Sequence, residues 1–359
     1  MSHIVNCHTH LFTLNHVPVR FVTGQRLLAP TQAGRRRLAR MLLKLNPWSD
    51  DRKLDRLSVF LQHGNYSTQG EIFEHLSMFY PVSARFAVHA IDFEFMGAGR
   101  APVGYLAQLE ELALLKKKFS KKIYPFICAD PRRPNLFPLV RHYIEKKGFA
   151  GIKLYPSMGF FPFDERLYPV YEYAQEHQIP LMTHCSSSGP VYGRDIPPKR
   201  ERIHPKTGAA MGYKSKRRFA DHYAAPDNYL YVFDDFPLLK LCFAHFGGDT
   251  QCLKYYKSND PSEINNNWFV KVSEMLRRYP NTYADISYSA ADFDLLALFN
   301  ALLQSSATKR KVLFGSDFYM SSIERNERWF SMNVLMHLGS ERYMQIAHDN
   351  ALRYLETVF

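Results

Sequence analysis

The sequence predicts an α/β fold, a (β/α)8 TIM barrel formed as a single domain over residues 1–359. Eight short runs rich in Val, Ile, Phe and Tyr are expected to form strands, and helical patterns separate most of them. Strands that alternate with helices indicate parallel βα units, and eight such units close into a barrel. The length of 359 residues fits a barrel of about 250 residues that carries insertions.

The eight predicted strands are short apolar runs. They span residues 3–7, 84–91, 122–128, 149–155, 179–184, 240–245, 281–287 and 311–316. A doubly wound open sheet is the alternative, but such a sheet usually has a Gly-rich phosphate loop after its first strand. The sequence lacks that pattern, so the barrel is favoured.

Helical patterns follow most of these strands. Residues 103–118 place apolar side chains at helical spacing and end in three lysines, which suit the negative end of a helix. Asp260 followed by Pro261 predicts another helix start, because aspartate caps helices and proline suits their first position. Further helices are predicted at 134–147, 165–177, 295–303 and 342–355.

Two stretches are too long for simple βα connections. We expect insertions at about 12–81 after strand 1 and at about 186–235 after strand 5. Loops that follow barrel strands lie at the face where barrel enzymes place their active sites.

The chain is basic, with 46 Lys and Arg residues against 34 Asp and Glu residues and a net charge of +12. Positive charge favours an anionic partner. Residues 193–218 contribute +7 of this charge. This segment either binds an anionic substrate, through Arg194, Arg202 and His204, or is a solvated loop.

Composition excludes several classes of protein. Hydrophobic residues make up 46% and charged residues 22%, which is ordinary for a globular protein and excludes a disordered chain, a collagen and a coiled coil. No apolar stretch reaches the roughly 18 residues that a membrane-spanning helix needs. The five cysteines are widely spread without CxxC spacing, which favours free thiols and a cytoplasmic location.

Polar residues end several of the apolar strands. His8 and His10 lie two residues apart at the end of strand 1, so both side chains can point to one side and bind one metal ion. Alone, such a pair is more often an ordinary surface or core pair. Lys153, His184 and His245 repeat the pattern at strands 4, 5 and 6.

Asp317 ends strand 8 in the same way. The carboxyl ends of barrel strands converge on one axis, and a lysine in an apolar strand is costly unless it pairs or is modified. We therefore expect these residues to form one metal site. Tyr155 and Tyr192 are candidates to line it, whereas Asp285 and His89 are expected to have core or hydrogen-bonding roles.

Together these motifs resemble the amidohydrolase superfamily of metal-dependent hydrolases. The resemblance runs from His-Thr-His at 8–10 through GIKLYP, LMTHCS, FAHFGG and FGSDF to DNALRYL at 349–355. The surroundings of the motifs are most similar to the amidohydrolase 2 group, which includes decarboxylases similar to aminocarboxymuconate semialdehyde decarboxylase. The KLYP motif also resembles the bridging-lysine motif of dihydroorotases. The resemblance implies one or two divalent metals, usually zinc, with manganese, iron or nickel as alternatives.

The resemblance also implies roles for the strand-end residues. His8, His10 and Asp317 would bind the first metal, and His184 would bind the first metal in a one-metal site or the second in a two-metal site. In a two-metal enzyme a carboxylated Lys153 would bridge both ions, and the histidine of strand 6 would bind the second.

In a one-metal enzyme, His245 would instead be the base that activates water. Asp317 is also suited to take the proton of the water and return it to the leaving group. Asn6 departs from the family pattern, because many relatives have an acidic residue just before the two histidines.

The expected function is that of a metal-dependent hydrolase that uses a metal-activated water on a C–N, ester or lactone bond of a small anionic molecule. A non-oxidative decarboxylase of the same superfamily is the alternative. A barrel deoxyribonuclease is less favoured, because such nucleases generally have a glutamate on strand 4. A non-catalytic basic scaffold is disfavoured by the intact ligand set. Neither nucleic acid nor a membrane is expected as a partner, and a homo-oligomer stays open.

Overall fold

The barrel predicted from the sequence is confirmed. The computed structural model describes residues 3–18, 66–187, 196–258, 260–318, 320–321 and 326–355. Its eight strands are β1 Val5–Thr9, β2 Arg85–His89, β3 Ile123–Cys128, β4 Gly151–Leu154, β5 Leu181–Ser186, β6 Leu241–Gly247, β7 Thr282–Asp285 and β8 Val312–Leu313. They form one sheet in the order β1 to β8, and each strand pairs in parallel with the next.

The chain beyond β8 closes the barrel against β1. The backbone N–H of Cys7 donates to the carbonyl of Phe314 at 2.9 Å, and the N–H of Asp317 donates to the carbonyl of His8 at 2.8 Å. Gly315 lies at the closest approach, since a Cβ atom there would be 2.7 Å from the Cβ of His8. This closure places the first and last strand ends side by side.

Helices follow the strands and pack around the sheet. Those of the described residues are α1 Gln69–Ser77, α2 Tyr105–Lys118, α3 Leu136–Lys147, α4 Tyr168–Glu176, α5 Lys216–Ala224, α6 Asn228–Asp235, α7 Asp249–Lys257, α8 Pro261–Asn265, α9 Trp268–Arg278, α10 Phe293–Leu302, α11 Glu327–Met344 and α12 Asn350–Leu355. A π-helical turn at Gln345–Asp349 joins the last two. Among the described residues, none of the helices combines the length and hydropathy needed to span a bilayer.

Short polar side chains begin several of these helices. Thr68, Ser215 and Asn267 each accept a backbone N–H from the first turn of α1, α5 and α9. Asp260 caps α8 in the same way, with Pro261 at the first helical position as predicted. That helix ends after five residues, because a new capped helix starts at Asn267.

Apolar side chains fill the barrel interior below the strand ends. Val5, Ala87, Met182 and Leu313 come from four different strands and share one buried cluster. Tyr354 of α12 completes the cluster and donates its hydroxyl to the carbonyl of Leu181 at 2.7 Å. The interior is therefore a packed core, and polar chemistry is confined to the carboxyl ends of the strands.

Candidate metal centre

Six residues predicted from the sequence meet at the carboxyl ends of the strands. The ring centroids of His8 and His10 are 5.1 Å apart, those of His8 and His245 5.0 Å, and those of His184 and His245 4.9 Å. We call the full set the central cluster; it consists of His8, His10, Lys153, His184, His245 and Asp317.

Two histidines and the aspartate form the part of this cluster best arranged for a metal ion. Nε2 of His10 lies 3.3 Å from Oδ1 of Asp317, and Nε2 of His8 lies 3.7 Å from the same oxygen. Nδ1 of His8 donates to Asp285 at 2.8 Å, and Nδ1 of His10 donates to the carbonyl of His89 at 2.8 Å. Both rings therefore carry a proton on Nδ1 and present an unprotonated Nε2, which is the form that binds a metal.

His184 points into the same space. Its ring stacks on that of Tyr155 at 5.2 Å, and its buried Nε2 has no hydrogen-bond partner among the described residues. Burial, reinforced by His245 and Lys153, lowers the pKa of His184 well below its usual 6.5. A neutral imidazole with an unsatisfied buried nitrogen costs about 1–3 kcal/mol, and a divalent metal ion at this point would satisfy it. The donor set therefore fits such an ion.

Two further donors lie against the same nitrogens. Nζ of Lys153 is 3.1 Å from Nε2 of His8, and the hydroxyl of Tyr155 is 3.1 Å from Nε2 of His10. Lys153 is fully buried, and burial lowers its pKa to about 8 although two nearby carboxylates oppose the shift. Both groups can donate to an anionic atom that comes to lie beside these histidines.

His245 reaches the cluster through an unusual backbone conformation. Cys242 and Ala244 of β6 face the barrel interior, so regular strand alternation would turn His245 away from it. The φ angle of His245 is 62°, in the left-handed region that non-glycine residues seldom adopt. This conformation at the end of β6 brings the imidazole back towards the cluster, and Asp317 has a similar φ of 59°.

A second group of potential ligands consists of His8, His245 and Asp285. Oδ1 of Asp285 accepts the backbone N–H groups of His245 at 2.9 Å and Ser287 at 3.0 Å, and also the Ser287 hydroxyl. Oδ2 accepts Nδ1 of His8. Oδ1 therefore has no lone pair left for a metal ion, whereas Oδ2, with one donor, keeps one.

The sequence interpretation gave Asp285 a core or hydrogen-bonding role and missed Ser287. The signal that would find both is their spacing. They lie two residues apart at the carboxyl end of the seventh strand, the pattern that identified His8 and His10.

The hydrogen bonds of Asn6 account for an amide at a position where many relatives have an acidic residue. Its Oδ1 accepts the N–H groups of His8 at 3.2 Å and Ser316 at 3.1 Å. Its Nδ2 donates to the hydroxyls of Tyr80 at 3.0 Å and Ser316 at 2.8 Å. An aspartate has no such donors, so the amide ties together the two strand ends that carry the potential ligands.

The predicted substrate-binding residues other than Tyr155 are not part of this arrangement. Nε of Arg202 donates to the carbonyl of Pro197 at 2.7 Å, and Nε2 of His204 bonds Oδ1 of Asn228 at 2.9 Å. Among the described residues, no hydrogen bond, ion pair or ring contact joins Arg202 or His204 to the central cluster. Tyr192 and Arg194 lie outside the described residues.

An eight-stranded parallel barrel with histidines and an aspartate converging at its strand ends is typical of enzymes that hold a divalent metal at that face. The sequence profile described as "Amidohydrolase" matches residues 5–356. The chain therefore belongs to the amidohydrolase family. A search of curated proteins finds no match to the sequence.

Solved structures of similar proteins share the fold. An uncharacterized TIM-barrel protein from Bordetella bronchiseptica is 16% identical, with a TM-score of 0.55 over 99% of both chains. A 2,6-dihydroxybenzoate decarboxylase from Rhizobium is 14% identical, with a TM-score of 0.54 over 99% of both chains. A 5-carboxyvanillate decarboxylase from Novosphingobium aromaticivorans with bound manganese is 12% identical, with a TM-score of 0.55 over 99% of this chain and 97% of that one.

Proposed function

We propose that this protein is a metal-dependent hydrolase of a small anionic molecule, with one divalent ion held by His8, His10, His184 and Asp317. The observation that carries the proposal is the convergence of Nε2 of His8 and Nε2 of His10 on Oδ1 of Asp317, at 3.7 and 3.3 Å. The unsatisfied Nε2 of His184 supports a fourth ligand. Three nitrogens and one carboxylate oxygen suit zinc, and manganese is the alternative that the Novosphingobium relative suggests.

One ion is proposed instead of two. A second ion at His8, His245 and Asp285 would have to share Nε2 of His8 with the first ion, because Nδ1 of His8 already donates to Asp285. Nζ of Lys153 lies 3.1 Å from Nε2 of His8, so in the one-metal centre the amine lies beside the ion and can donate to a bound oxygen. A two-metal centre with a carboxylated, bridging Lys153 is the alternative.

The residues of the chain supply the proton transfers. The bound metal would lower the pKa of a water molecule and polarise a substrate carbonyl. Nδ1 of His245 lies 3.2 Å from the carbonyl of Ser287, which can only accept, so Nε2 of His245 is free to take a proton from water. Protonated His245 would return this proton to the leaving group. Asp317, beside both ligand histidines, is the alternative group that could take the proton of the water and return it to the leaving group.

The donors around the ligands indicate an anionic substrate. Lys153 and Tyr155 are buried and lie against the ligand nitrogens, so a bound metal would leave both free to donate to a substrate oxygen.

All five cysteines are free and buried, which supports a reducing compartment such as the cytoplasm.

Decarboxylation is the second candidate reaction. Two of the proteins that share the fold are named as decarboxylases of hydroxylated benzoates, which are small aromatic anions. The same metal site and the same pair of Lys153 and Tyr155 would bind a carboxylate. As CO2 leaves, Asp317 would pass a proton taken up from solvent to the carbon that carried it.

The experiment that separates the two reactions uses the metal-loaded protein in water enriched in ¹⁸O. Amides, lactones and hydroxylated aromatic acids are tested, and products are measured by mass spectrometry together with released CO2. Incorporation of ¹⁸O with no CO2 supports hydrolysis, and CO2 release without ¹⁸O in the organic product supports decarboxylation. His245→Asn is expected to abolish turnover, and His142→Asn on the exposed face of α3 is the matched control. Equal turnover by the two variants would contradict the role of His245.

A further inference from the structure

Asp285 is a fully buried carboxylate at the carboxyl end of β7. The hydrogen bonds that its side chain accepts come from His8, His245 and Ser287. Oδ2 lies 2.8 Å from Nδ1 of His8. Oδ1 accepts two backbone N–H groups, from His245 and Ser287, together with the Ser287 hydroxyl. The side chain therefore joins two strand ends that each carry a residue of the central cluster.

The contact with His8 determines which ring nitrogen carries the proton. An ionised carboxylate can only accept a hydrogen bond, so Nδ1 of His8 must donate. A neutral imidazole has one N–H, and Nε2 is consequently left with its lone pair facing Asp317. Without an acceptor at Nδ1, the proton could occupy Nε2, and that nitrogen could not bind a metal ion.

The hydrogen bond from the backbone N–H of His245 to Asp285 stabilises the backbone conformation of His245. The N–H that Oδ1 accepts belongs to a residue whose φ of 62° is strained for an L-amino acid. Such a conformation persists only when surrounding interactions hold it. The Ser287 hydroxyl adds a contact of 3.1 Å to Nδ1 of His245 and one of 3.0 Å to Nδ1 of His8.

We infer that Asp285 is a positioning residue: through Oδ2 it keeps the proton of His8 on Nδ1, and through Oδ1 it holds the left-handed backbone of His245. Both imidazoles then present Nε2 to the metal centre. The inference rests on the proposed function for its catalytic meaning, whereas the proton positions themselves are a property of the metal-free protein.

The first test measures the proton positions directly. Metal-free protein is labelled with ¹⁵N in its histidines, and the ring nitrogens are assigned with single His→Gln variants. We expect Nδ1–H on both His8 and His245 in the unmodified chain, and a change at His8 in Asp285→Asn. The asparagine keeps an oxygen for the backbone N–H groups but places an NH2 group against Nδ1. A proton on Nε2 of His8 in the unmodified chain, or no change in Asp285→Asn, would overturn the inference.

The second test measures metal affinity by titrating metal-free protein with Zn²⁺ or Mn²⁺ against a chelating indicator. Loss of a partner behind a ligand histidine typically weakens metal binding 10- to 100-fold, and we expect a loss of this size in Asp285→Asn. Asp130→Asn is the matched control, because it removes a buried carboxylate that pairs with Arg132 after β3 and has no contact with the central cluster among the described residues.

The outcomes separate the inference from the proposed function. An equal loss of affinity in Asp285→Asn and Asp130→Asn would mean that Asp285 acts only through stability, and would overturn the inference. If the unmodified chain binds neither ion, the proposed function fails, while the proton positions of the first test still decide whether Asp285 orients His8. If Asp285→Asn does not fold, the labelling of the unmodified chain decides alone.

Discussion

Replacement of Glu327 by glutamine is expected to make the stability of the protein less sensitive to pH. Glu327 is the first residue of α11 and is buried, and its Oε1 accepts the hydroxyl of Tyr80 at 2.6 Å. Burial raises the pKa of Glu327 from 4.5 to about 7, and the nearby charge of Asp317 adds to the effect. Glutamine keeps an oxygen for Tyr80 and cannot ionise.

The magnitude follows from the two pKa values. The folded protein holds the proton more tightly than the unfolded chain, so the contribution of this group to stability is fully present below pH 4.5. It is lost as the pH rises through about 7. Between pH 5 and pH 8 the loss is about 2–3 kcal/mol, because a pKa difference of 1 corresponds to about 1.4 kcal/mol. Relative to the unmodified protein, Glu327→Gln should gain that amount over the interval.

The assay is urea-induced unfolding at pH 5 and pH 8. Glu172→Gln on the exposed side of α4 is the matched control, and we expect its stability difference from the unmodified protein to be the same at both pH values. A difference for Glu327→Gln that changes by less than about 0.5 kcal/mol between the two pH values would refute the reasoning.

Three further substitutions test other parts of the structure. Burial lowers the pKa of His16 to about 4, so between pH 6.5 and pH 4 the unfolded chain binds a proton at this residue that the folded chain does not, and stability falls with the pH. His16→Asn should make the unfolding free energy less dependent on pH over that interval, and an unchanged pH dependence would contradict this prediction. Gly315→Ala should lower the free energy of unfolding in urea by about 1–3 kcal/mol and weaken metal binding, because the new Cβ would lie 2.7 Å from the Cβ of His8. Unaltered metal affinity would contradict the close approach of Gly315 to His8. Tyr155→Phe should change metal affinity by less than about threefold but lower kcat/KM about 10-fold or more through a higher KM, because the hydroxyl beside His10 is lost. Unchanged kinetics would show that Tyr155 does not bind substrate.

The elements that sequence patterns predicted best are those with strong local signals. The apolar runs at 122–128 and 281–287 contain β3 and β7, and the lysine-ended pattern at 103–118 forms α2 from Tyr105. The capping pattern at Asp260 predicted the start of α8 but not its end, since the helix stops after five residues and Asn267 caps α9 directly beyond it. Residues 342–355 contain a π-helical turn that a regular helical pattern does not reveal.

The candidate site was predictable as a list of residues but not as a geometry. The polar ends of apolar strands identified the central cluster, because barrel topology brings those ends together. The left-handed φ of His245 and the four donors on Asp285 depend on contacts between strands that are distant in sequence. The same limit applies to Arg202 and His204, whose charge suggested substrate binding but whose observed contacts are with Pro197 and Asn228 and not with the central cluster.

Metal content per chain is the most direct test of the proposed one-metal centre. The protein is purified without chelator, incubated with Zn²⁺ or Mn²⁺, separated from free metal and measured by elemental mass spectrometry beside His10→Ala and Lys153→Ala. We expect about one ion per chain in the unmodified protein and in Lys153→Ala, and much less than one in His10→Ala. Two ions per chain that fall in Lys153→Ala would contradict the one-metal centre and indicate a bridging lysine, and no bound metal in any of the three would contradict a metal centre altogether.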